Sequence, residues 1–254
     1  MLERKIEAED RVEGKNAVME ALKAGRPLDK IYIAKGEQDK TLRFLAQKGK
    51  AAGAVISEVD RRKLDAMSVT HAHQGIIAVA ALREYASVED ILDIAREKGE
   101  NPLIVVCDEI TDPHNLVAII RSAECAGAHG VIIPKHRSAG ITAVVEKTSA
   151  GAVEHMAVAR VTNLASALES LKSAGIWVCG TDADGDRSIW EADLQTGIAL
   201  VIGSEGKGMS RIARENCDFL LSIPLLGKVS SLNASAAAAV VLYEAVRQRN
   251  QEKS

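Results

Sequence analysis

Short apolar runs alternate with helix-like stretches in the part of the chain that follows Pro102. The runs are continuous and lack alternating polar residues, which is typical of strands covered on both faces. They lie at Leu103–Cys107, Gly130–Ile133, Ile176–Gly180, Ala199–Ile202 and Phe219–Ile223. Helices are expected at residues 115–127, 140–150, 164–174, 208–215 and 233–249. The pattern therefore predicts an α/β fold with a mostly parallel sheet between helices.

The first 82 residues predict a separate, small α/β unit. Helices are expected at residues 16–23, 41–50 and 60–67, and strands at residues 30–34, 54–57 and 75–81. The first helix closes at Gly25 with Pro27 just beyond, which is a common stop signal. Residues 83–100 are polar and only partly helical. We therefore expect them to link a domain of residues 1–82 to a domain of residues 101–254.

Composition and cysteine spacing exclude several classes of protein. No apolar run approaches the roughly 18 residues that a membrane span needs, and the charged N-terminus lacks the apolar core of a signal peptide. The four cysteines include no C-x-x-C pair, so neither a zinc site nor a disulfide scaffold is indicated. They lie at Cys107, Cys125, Cys179 and Cys217. We expect a cytoplasmic protein with reduced thiols, no membrane partner and no metal.

Charge divides unevenly along the chain. Up to residue 83 there are 16 Lys and Arg against 12 Asp and Glu, whereas the remainder has 16 against 23. A mildly basic first part favours a phosphate backbone, although a solvated surface of mixed charge explains it equally well. Aromatic residues make up only 3% of the chain. A base-stacking platform is therefore not expected, and any bound RNA would be held through phosphates, hydroxyls and backbone groups.

Four loops follow predicted strands at the edge of the sheet where parallel α/β folds bind ligands. They are Asp108–Asn115, Gly180–Gly185, Gly203–Gly208 and Leu225–Asn233. The third has three glycines in six residues, which lets backbone N–H groups approach a ligand, although many glycine-rich loops are only turns. Its spacing fits neither a P-loop nor a dinucleotide fingerprint, which argues against a nucleotide-dependent oxidoreductase.

Two further features have both a structural and a functional interpretation. Asp112-Pro-His-Asn115 and Ser230-Ser-Leu-Asn233 are good N-terminal helix caps, yet they hold polar groups at the same sheet edge. Arg121 is a lone charge in an otherwise apolar helix, so a buried ion pair and a catalytic role are equally compatible with it. The six histidines have no metal-ligand spacing.

The ordered motifs together resemble one family. Asp112-Pro-His-Asn115 with Arg121, Gly203–Gly208, Ile223-Pro224 and Ser231-Leu-Asn233 resemble the SpoU branch of the SPOUT RNA methyltransferases. Within the first 80 residues, the segments that begin at Gly14 and His73 resemble the L30e-type substrate-binding domain of some members. The most similar subgroup is the bacterial 23S rRNA guanosine 2′-O-methyltransferases.

This resemblance implies a fold, a cofactor and roles for residues. The fold would have a trefoil knot at the C-terminal end, and the protein would be a homodimer through the last helix and the Arg121 helix. S-adenosylmethionine would be the cofactor and 23S rRNA the partner. The implied catalytic residues are Arg121, Asn115, Glu205, Ser231 and Asn233. The implied cofactor-binding residues are Gly203, Ile223, Leu232 and Thr181, and the implied RNA-binding residues are Lys15, Asn16, His73 and Gln74.

The resemblance has one departure and leaves alternatives open. Val117 replaces a glycine of the family's first motif, so the approach of cofactor or RNA there is expected to differ. A tRNA ribose 2′-O-methyltransferase and an rRNA resistance methyltransferase would have the same catalytic domain. A non-catalytic RNA-binding or assembly protein that retains the fold is the alternative from another class.

Overall fold

The computed structural model describes residues 11–36, 39–80, 85–141 and 152–251. The chain divides into two compact units. The N-terminal unit is Met1–Glu84 with Gly140–Val144, and the C-terminal unit is Tyr85–Ala139 with Val145–Ser254. Each is described by itself below.

The N-terminal unit is built around a four-stranded mixed sheet. Its strands are β1 (Arg11–Glu13), β2 (Leu28–Ala34), β3 (Val55–Val59) and β4 (Ile76–Ala80), in the order β1-β4-β2-β3. Strands β2 and β3 are parallel, and the other pairs are antiparallel. The helices are α1 (Lys15–Lys23), α2 (Lys40–Ala51) and α3 (Arg61–Met67). The small α/β unit is confirmed, with β1 as an additional edge strand whose sequence, Arg-Val-Glu, has only one apolar residue and gave no strand signal.

The C-terminal unit is a seven-stranded parallel sheet. Its strands are β5 (Leu103–Cys107), β6 (Gly130–Pro134), β7 (Val158–Val161), β8 (Trp177–Thr181), β9 (Arg187–Ser188), β10 (Ile198–Ile202) and β11 (Phe219–Ser222). The order is β7-β6-β5-β10-β8-β11-β9, and every recorded pair is parallel. All residues of β5 and β10 are buried, as expected for central strands covered on both faces. The predicted parallel sheet is confirmed.

Helices flank this sheet, and their buried apolar residues form one core together with those of the strands. They are α4 (Val88–Lys98), α5 (Pro113–Cys125), α6 (Ala152–His155), α7 (Leu164–Ser173), α8 (Arg211–Glu215) and α9 (Ala234–Gln251). The helix predicted over residues 140–150 falls almost entirely outside the described residues. No helix among the described residues is long and apolar enough to cross a membrane.

The segment that was expected to link the domains contributes a core helix instead. Ser87 caps α4 through a capping box with Asp90, and Gly99 ends it in the left-handed conformation. Ile91 and Leu92 are buried in the core of the C-terminal unit, together with residues of the parallel sheet. The polar sequence misled because only one face of this helix is apolar.

The last helix is fastened along its length. Near its beginning, α9 packs against α5. Near its end, the Arg249 guanidinium donates to four backbone carbonyls, at Leu194, Asn101, Pro102 and Thr196. These contacts fix the direction in which α9 leaves the sheet edge where the candidate site lies.

Candidate active site

One cavity lies at the carboxyl edge of the parallel sheet. Its volume is about 540 Å³. Three loops line it: residues 181–184 after β8, residues 203–208 after β10, and residues 223–232 after β11. Ala234 and Ala237 from the first turns of α9 complete the wall. The loops of three adjacent strands therefore meet in one place, as the parallel topology requires.

The glycine-rich loop forms one wall in a tightly folded conformation. Ser204 and Gly208 exchange two backbone hydrogen bonds of 2.9 Å, so the loop closes on itself. Gly206 and Gly208 have φ angles of 82° and 67°, a region that favours glycine. A Cβ on Gly203 would lie 2.4 Å from the carbonyl carbon of Gly208. The two ends of the loop therefore approach more closely than any side chain at residue 203 would allow.

Asn233 bonds to two other residues expected to be catalytic, Asn115 and Glu205. Its side-chain oxygen caps α9 by accepting from the backbone N–H of Ser235 at 3.0 Å and from the Ser235 hydroxyl at 2.6 Å. Because the oxygen is used in this way, the amide nitrogen points outward. It donates to Asn115 Oδ1 at 3.0 Å and to Glu205 Oε2 at 3.1 Å. Helix capping thus fixes the direction of a hydrogen-bond donor at the rim of the cavity.

The residues expected to bind the cofactor all line this cavity. Gly203, Ile223, Leu232 and Thr181 are each part of its wall. Glu205 and Ser231 line it as well. The Thr181 hydroxyl donates to the carbonyl of Val201 at 3.0 Å, which ties the loop after β8 to the neighbouring strand β10.

Two acidic residues of the wall were missed in the sequence. Asp182 pairs with Arg214 and also accepts the backbone N–H of Asp184 at 3.0 Å. Asp184 is exposed at the cavity. The loop Gly180–Gly185 had been singled out, but nothing in its spacing separated these carboxylates from ordinary turn residues.

Arg121 is in a different environment from the one expected. It is exposed on α5, so the expectation of a buried arginine is wrong for the described chain. It lies six residues beyond Asn115, about 9 Å along the helix axis. It does not line the cavity. The structure therefore assembles Asn115, Glu205 and Asn233 without bringing Arg121 to them.

Val117 lies inside the protein. Only 7% of it is exposed, on the face of α5 that packs against the core. It is absent from the cavity wall. The larger side chain is therefore accommodated by core packing and does not narrow the cavity.

The N-terminal unit holds its expected RNA-binding residues in a compact loop contact. The Lys15 backbone N–H donates to Gln74 Oε1 at 3.2 Å, and the Lys15 ammonium pairs with Asp39. Asn16 and Gln74 are exposed. Three of the four residues therefore lie at or near one surface.

His73, the fourth, is a structural residue in its present position. It is only 4% exposed. Its Nδ1 accepts the backbone N–H of Gly75 at 3.1 Å, and its Nε2 lies 2.9 Å from Asp65 Oδ1. Because both ring nitrogens are engaged inside the unit, the side chain is not available to RNA.

The described residues offer no grouped metal ligands. Within residues 11–36, 39–80, 85–141 and 152–251, no three His, Cys, Asp or Glu side chains form a group suited to a metal ion. Burial raises the pKa of Cys107 to about 12 and that of Cys217 to about 12. Both thiols are therefore protonated at neutral pH and are poor metal ligands.

Comparison with known families identifies both parts of the chain. Residues 102–243 match the SpoU rRNA Methylase family. Residues 11–86 match the family described as RNA 2′-O ribose methyltransferase substrate binding. The first match alone covers more than half of the 254 residues.

Individual relatives agree with this assignment. The chain is 49% identical over 241 residues to YacO of Bacillus subtilis (strain 168), which is named for the TrmH family of tRNA/rRNA methyltransferases. That match covers 95% of this chain and 96% of the relative. The crystal structure of the SpoU methyltransferase AviRb from Streptomyces viridochromogenes, in complex with AdoMet, is similar with a TM-score of 0.59 and 30% identity. It covers 94% of this chain and 90% of AviRb.

A second structure matches less of the chain. The TrmH/SpoU tRNA modifying enzyme of A. aeolicus has a TM-score of 0.55 and 28% identity, and covers 65% of this chain and 86% of its own. The resemblance inferred from the ordered motifs is confirmed by these matches. The chain therefore belongs to the SpoU rRNA methylase family, as an RNA methyltransferase with an RNA substrate-binding domain ahead of its methylase domain.

Proposed function

We propose that this protein methylates the ribose 2′-hydroxyl of a guanosine in 23S rRNA, with S-adenosylmethionine as the methyl donor. The observation that carries the proposal is the Asn233 side chain, which links Asn115 and Glu205 at the rim of the cavity. Helix capping alone does not require the bonds from its amide nitrogen. Polar groups held at fixed positions beside a cavity are what alignment of two reactants needs.

The cavity suits S-adenosylmethionine in size and in the groups it offers. Its volume of about 540 Å³ lies within the range of small-molecule sites. The glycine-rich loop presents backbone groups, and Asp184 and Glu205 present carboxylates suited to a ligand with cationic centres. Gly203, Thr181, Ile223 and Leu232 would hold the cofactor. When bound, it supplies an activated methyl group attached to a sulfonium.

The chain's own residues would position the ribose and hold the RNA. Asn115, Glu205, Ser231 and Asn233 are assigned to holding the ribose at the cavity rim. Arg121 is assigned to a phosphate of the bound RNA, since it is exposed on α5 and lies away from the cavity wall. A role as general base does not suit it, because arginine remains protonated in proteins. Its exposure on α5 is compatible with an RNA contact.

The N-terminal unit favours rRNA over tRNA as the substrate. Residues 11–86 match a substrate-binding domain, whereas the tRNA modifying enzyme of A. aeolicus covers only 65% of this chain. We assign RNA selection to residues 1–82, with Lys15, Asn16 and Gln74 in contact with RNA. His73 would act indirectly, by holding the loop that presents Gln74. Methyl transfer is assigned to residues 101–254, including the knot expected of this fold.

We further propose that the protein is a cytoplasmic homodimer through the catalytic domain. A row of apolar residues on α9 is partly or fully exposed in the single chain: Ala236, Ala239, Val240 and Tyr243. Tyr243 alone is 52% exposed. Such a row at helical spacing suits a helix–helix contact between two copies.

The test is to incubate the protein with radiolabelled S-adenosylmethionine and unmodified bulk RNA, and then to map alkali-resistant dinucleotides. Label in a 2′-O-methylguanosine of large-subunit rRNA is the expected result. Label in tRNA would move the function to the tRNA alternative, and label in an adenosine of rRNA would favour a resistance methyltransferase. Cofactor binding without transfer to any RNA would overturn the enzymatic proposal in favour of an RNA-binding or assembly protein.

A further inference from the structure

We propose that Asp108 is a positioning residue that holds the exit of the self-closed Gly203–Gly208 loop against the sheet and thereby sets the affinity for the cofactor. The inference rests on the proposed function, because it assumes that this loop forms the cofactor's wall. Asp108 lies just past the end of β5 and is only 2% exposed. It does not line the cavity, so it would act through the loop.

Asp108 is bonded to both ends of the loop. Its backbone N–H donates to the carbonyl of Ile202, the residue before Gly203, at 2.8 Å. Its carboxylate accepts the backbone N–H of Ser210, two residues after Gly208. Asp108, which holds the exit of the loop, therefore follows a different strand, β5, and precedes Ser210 by 102 residues in the chain.

The packing inside the loop shows why such a closure matters. A Cβ on Gly203 would lie 2.4 Å from Gly208 carbon and 2.4 Å from the Met209 nitrogen. The entrance and the exit of the loop are therefore in direct contact. A movement of the exit would therefore also shift the backbone groups of Ser204–Gly208, which line the cavity.

Helix capping alone does not account for the carboxylate. The five-residue helix α8 already has its own cap, because the Ser210 hydroxyl accepts the backbone N–H of Ala213 at 3.2 Å. The other helices with a side-chain cap in the described C-terminal unit use a residue next to the helix, such as Ser87 or Asn163. Asp108 instead reaches from β5 and fixes Ser210 relative to the sheet.

The free-energy cost of burying the Asp108 carboxylate also supports a positioning role. Burial raises the pKa of Asp108 above its ordinary value, and the hydrogen bonds from Ser210 oppose that rise. A buried carboxylate is expensive and persists where its hydrogen bonds fix a geometry that a neutral core would not. Glu109, the next residue, has φ 54°, an uncommon conformation for a residue other than glycine.

The experiment compares two carboxylates that make the same kind of bond at opposite edges of one sheet. Asp218 Oδ2 accepts the backbone N–H of Val178 at 2.8 Å, at the start of β8 and away from the cavity. Asp108→Ala and Asp218→Ala are made in the full-length chain. The dissociation constant for S-adenosylmethionine is measured by calorimetry, and the melting temperature is measured in parallel.

The expected result separates affinity from stability. Both variants lower the melting temperature, but only Asp108→Ala weakens cofactor binding, by about tenfold or more. Asp108→Asn keeps an acceptor for the Ser210 N–H and restores binding to within about threefold of the parent.

A second route covers the case in which Asp108→Ala does not fold. Ser210→Pro removes the same N–H donor, and the φ of −61° at Ser210 lies within the range of proline. It too is expected to weaken cofactor binding about tenfold. Parent-like affinity in Asp108→Ala or Ser210→Pro, or equal weakening in Asp218→Ala, would overturn the positioning role. If the parent chain itself failed to bind the cofactor, the proposed function would be wrong instead.

Discussion

The two units of this protein use hydrogen-bonded side chains for opposite purposes. In the C-terminal unit, Asn233 uses its side-chain oxygen to cap α9, and its amide nitrogen points to Asn115 and Glu205 beside a cavity. In the N-terminal unit, His73 has both ring nitrogens occupied by the unit's own Gly75 and Asp65. Asn233 therefore presents its amide nitrogen beside a cavity, whereas both ring nitrogens of His73 are used in contacts within its own unit.

The difference follows from topology. Parallel strands end at one edge of the sheet, so their loops converge even though Asn115 and Asn233 are 118 residues apart. The mixed sheet of the N-terminal unit offers no such convergence among its described strands. There, a polar residue at the end of an element is as suited to holding a loop as to binding a ligand. Equal prominence of two motifs in a sequence therefore does not imply equal roles.

The largest expected effect is that of Asn233→Asp. Aspartate keeps an oxygen to cap α9, but it cannot donate to Asn115 and it places a second negative charge beside Glu205. We expect the free energy of unfolding to change by less than about 1 kcal/mol. We expect turnover to fall roughly 100-fold, as when one positioned donor is lost from an active site. Steady-state kinetics and chemical denaturation measure the two quantities.

The matched control is Asn163→Asp. Asn163 caps α7 by accepting the backbone N–H of Ser166 at 3.2 Å, whereas the described bonds to Asn115 and Glu205 come from Asn233. Its replacement should leave turnover unchanged. Similar turnover in both variants would mean that Asn233 is only a helix cap, and the contrast between the two units would disappear.

Much of the candidate site followed from sequence because each signal had a local cause. The three glycines of Gly203–Gly208 predict a tight loop, and Asn233 predicts the start of a helix. The structure has both features at these positions. Their meeting with Asn115 needed only the parallel order of the strands. Asp108 was not recognised, because its role depends on Ser210, a residue far along the chain whose proximity no spacing rule predicts.

Burial was the property that sequence pattern predicted worst. Arg121 was expected to be buried because its neighbours in the helix are apolar, yet it is exposed on α5. The resemblance implied that His73 binds RNA, which requires an accessible side chain, yet it is 4% exposed. In both cases the direction of one side chain depends on packing between elements, which a linear pattern does not contain.

A second, smaller effect tests the N-terminal unit directly. His73→Ala leaves the buried N–H of Gly75 without its acceptor, so we expect a loss of roughly 2 kcal/mol in the free energy of unfolding. Gln74→Ala removes an exposed acceptor and should cost less than about 0.5 kcal/mol. Denaturation of the two full-length variants measures this. The assignment of His73 to the fold would fail if the two variants were equally stable.

The KM for RNA further distinguishes Gln74→Ala from His73→Ala. Under the proposed function, Gln74→Ala raises the KM for RNA several-fold while turnover at saturating RNA is kept. For His73→Ala, any change in the KM for RNA should follow the loss of stability and shrink at lower temperature. An unchanged KM in Gln74→Ala would remove this loop from the RNA surface.

The last effect depends on pH and concerns Glu13, which holds the loop next to His73. Burial raises the pKa of this carboxyl, but hydrogen bonds from Ser68, Thr70 and Val69 outweigh that and bring the pKa to about 2. Because the folded pKa lies below the ordinary value of about 4.5, the stabilisation is complete above that value. It is lost as the pH falls from there towards 2. The loop of residues 68–70, which Glu13 holds, should therefore lose stability as the pH falls through this range.

Glu13→Gln isolates this contribution. At neutral pH the parent should be the more stable chain, and its advantage should shrink steadily between about pH 4.5 and pH 2. Denaturation at several pH values measures the difference, and an NMR titration of the carboxyl locates its midpoint directly. A constant difference across that interval would show that the contribution of Glu13 does not depend on the ionisation of its carboxyl. The loop that presents Gln74 would then be held mainly by His73, whose contacts do not depend on the charge of Glu13.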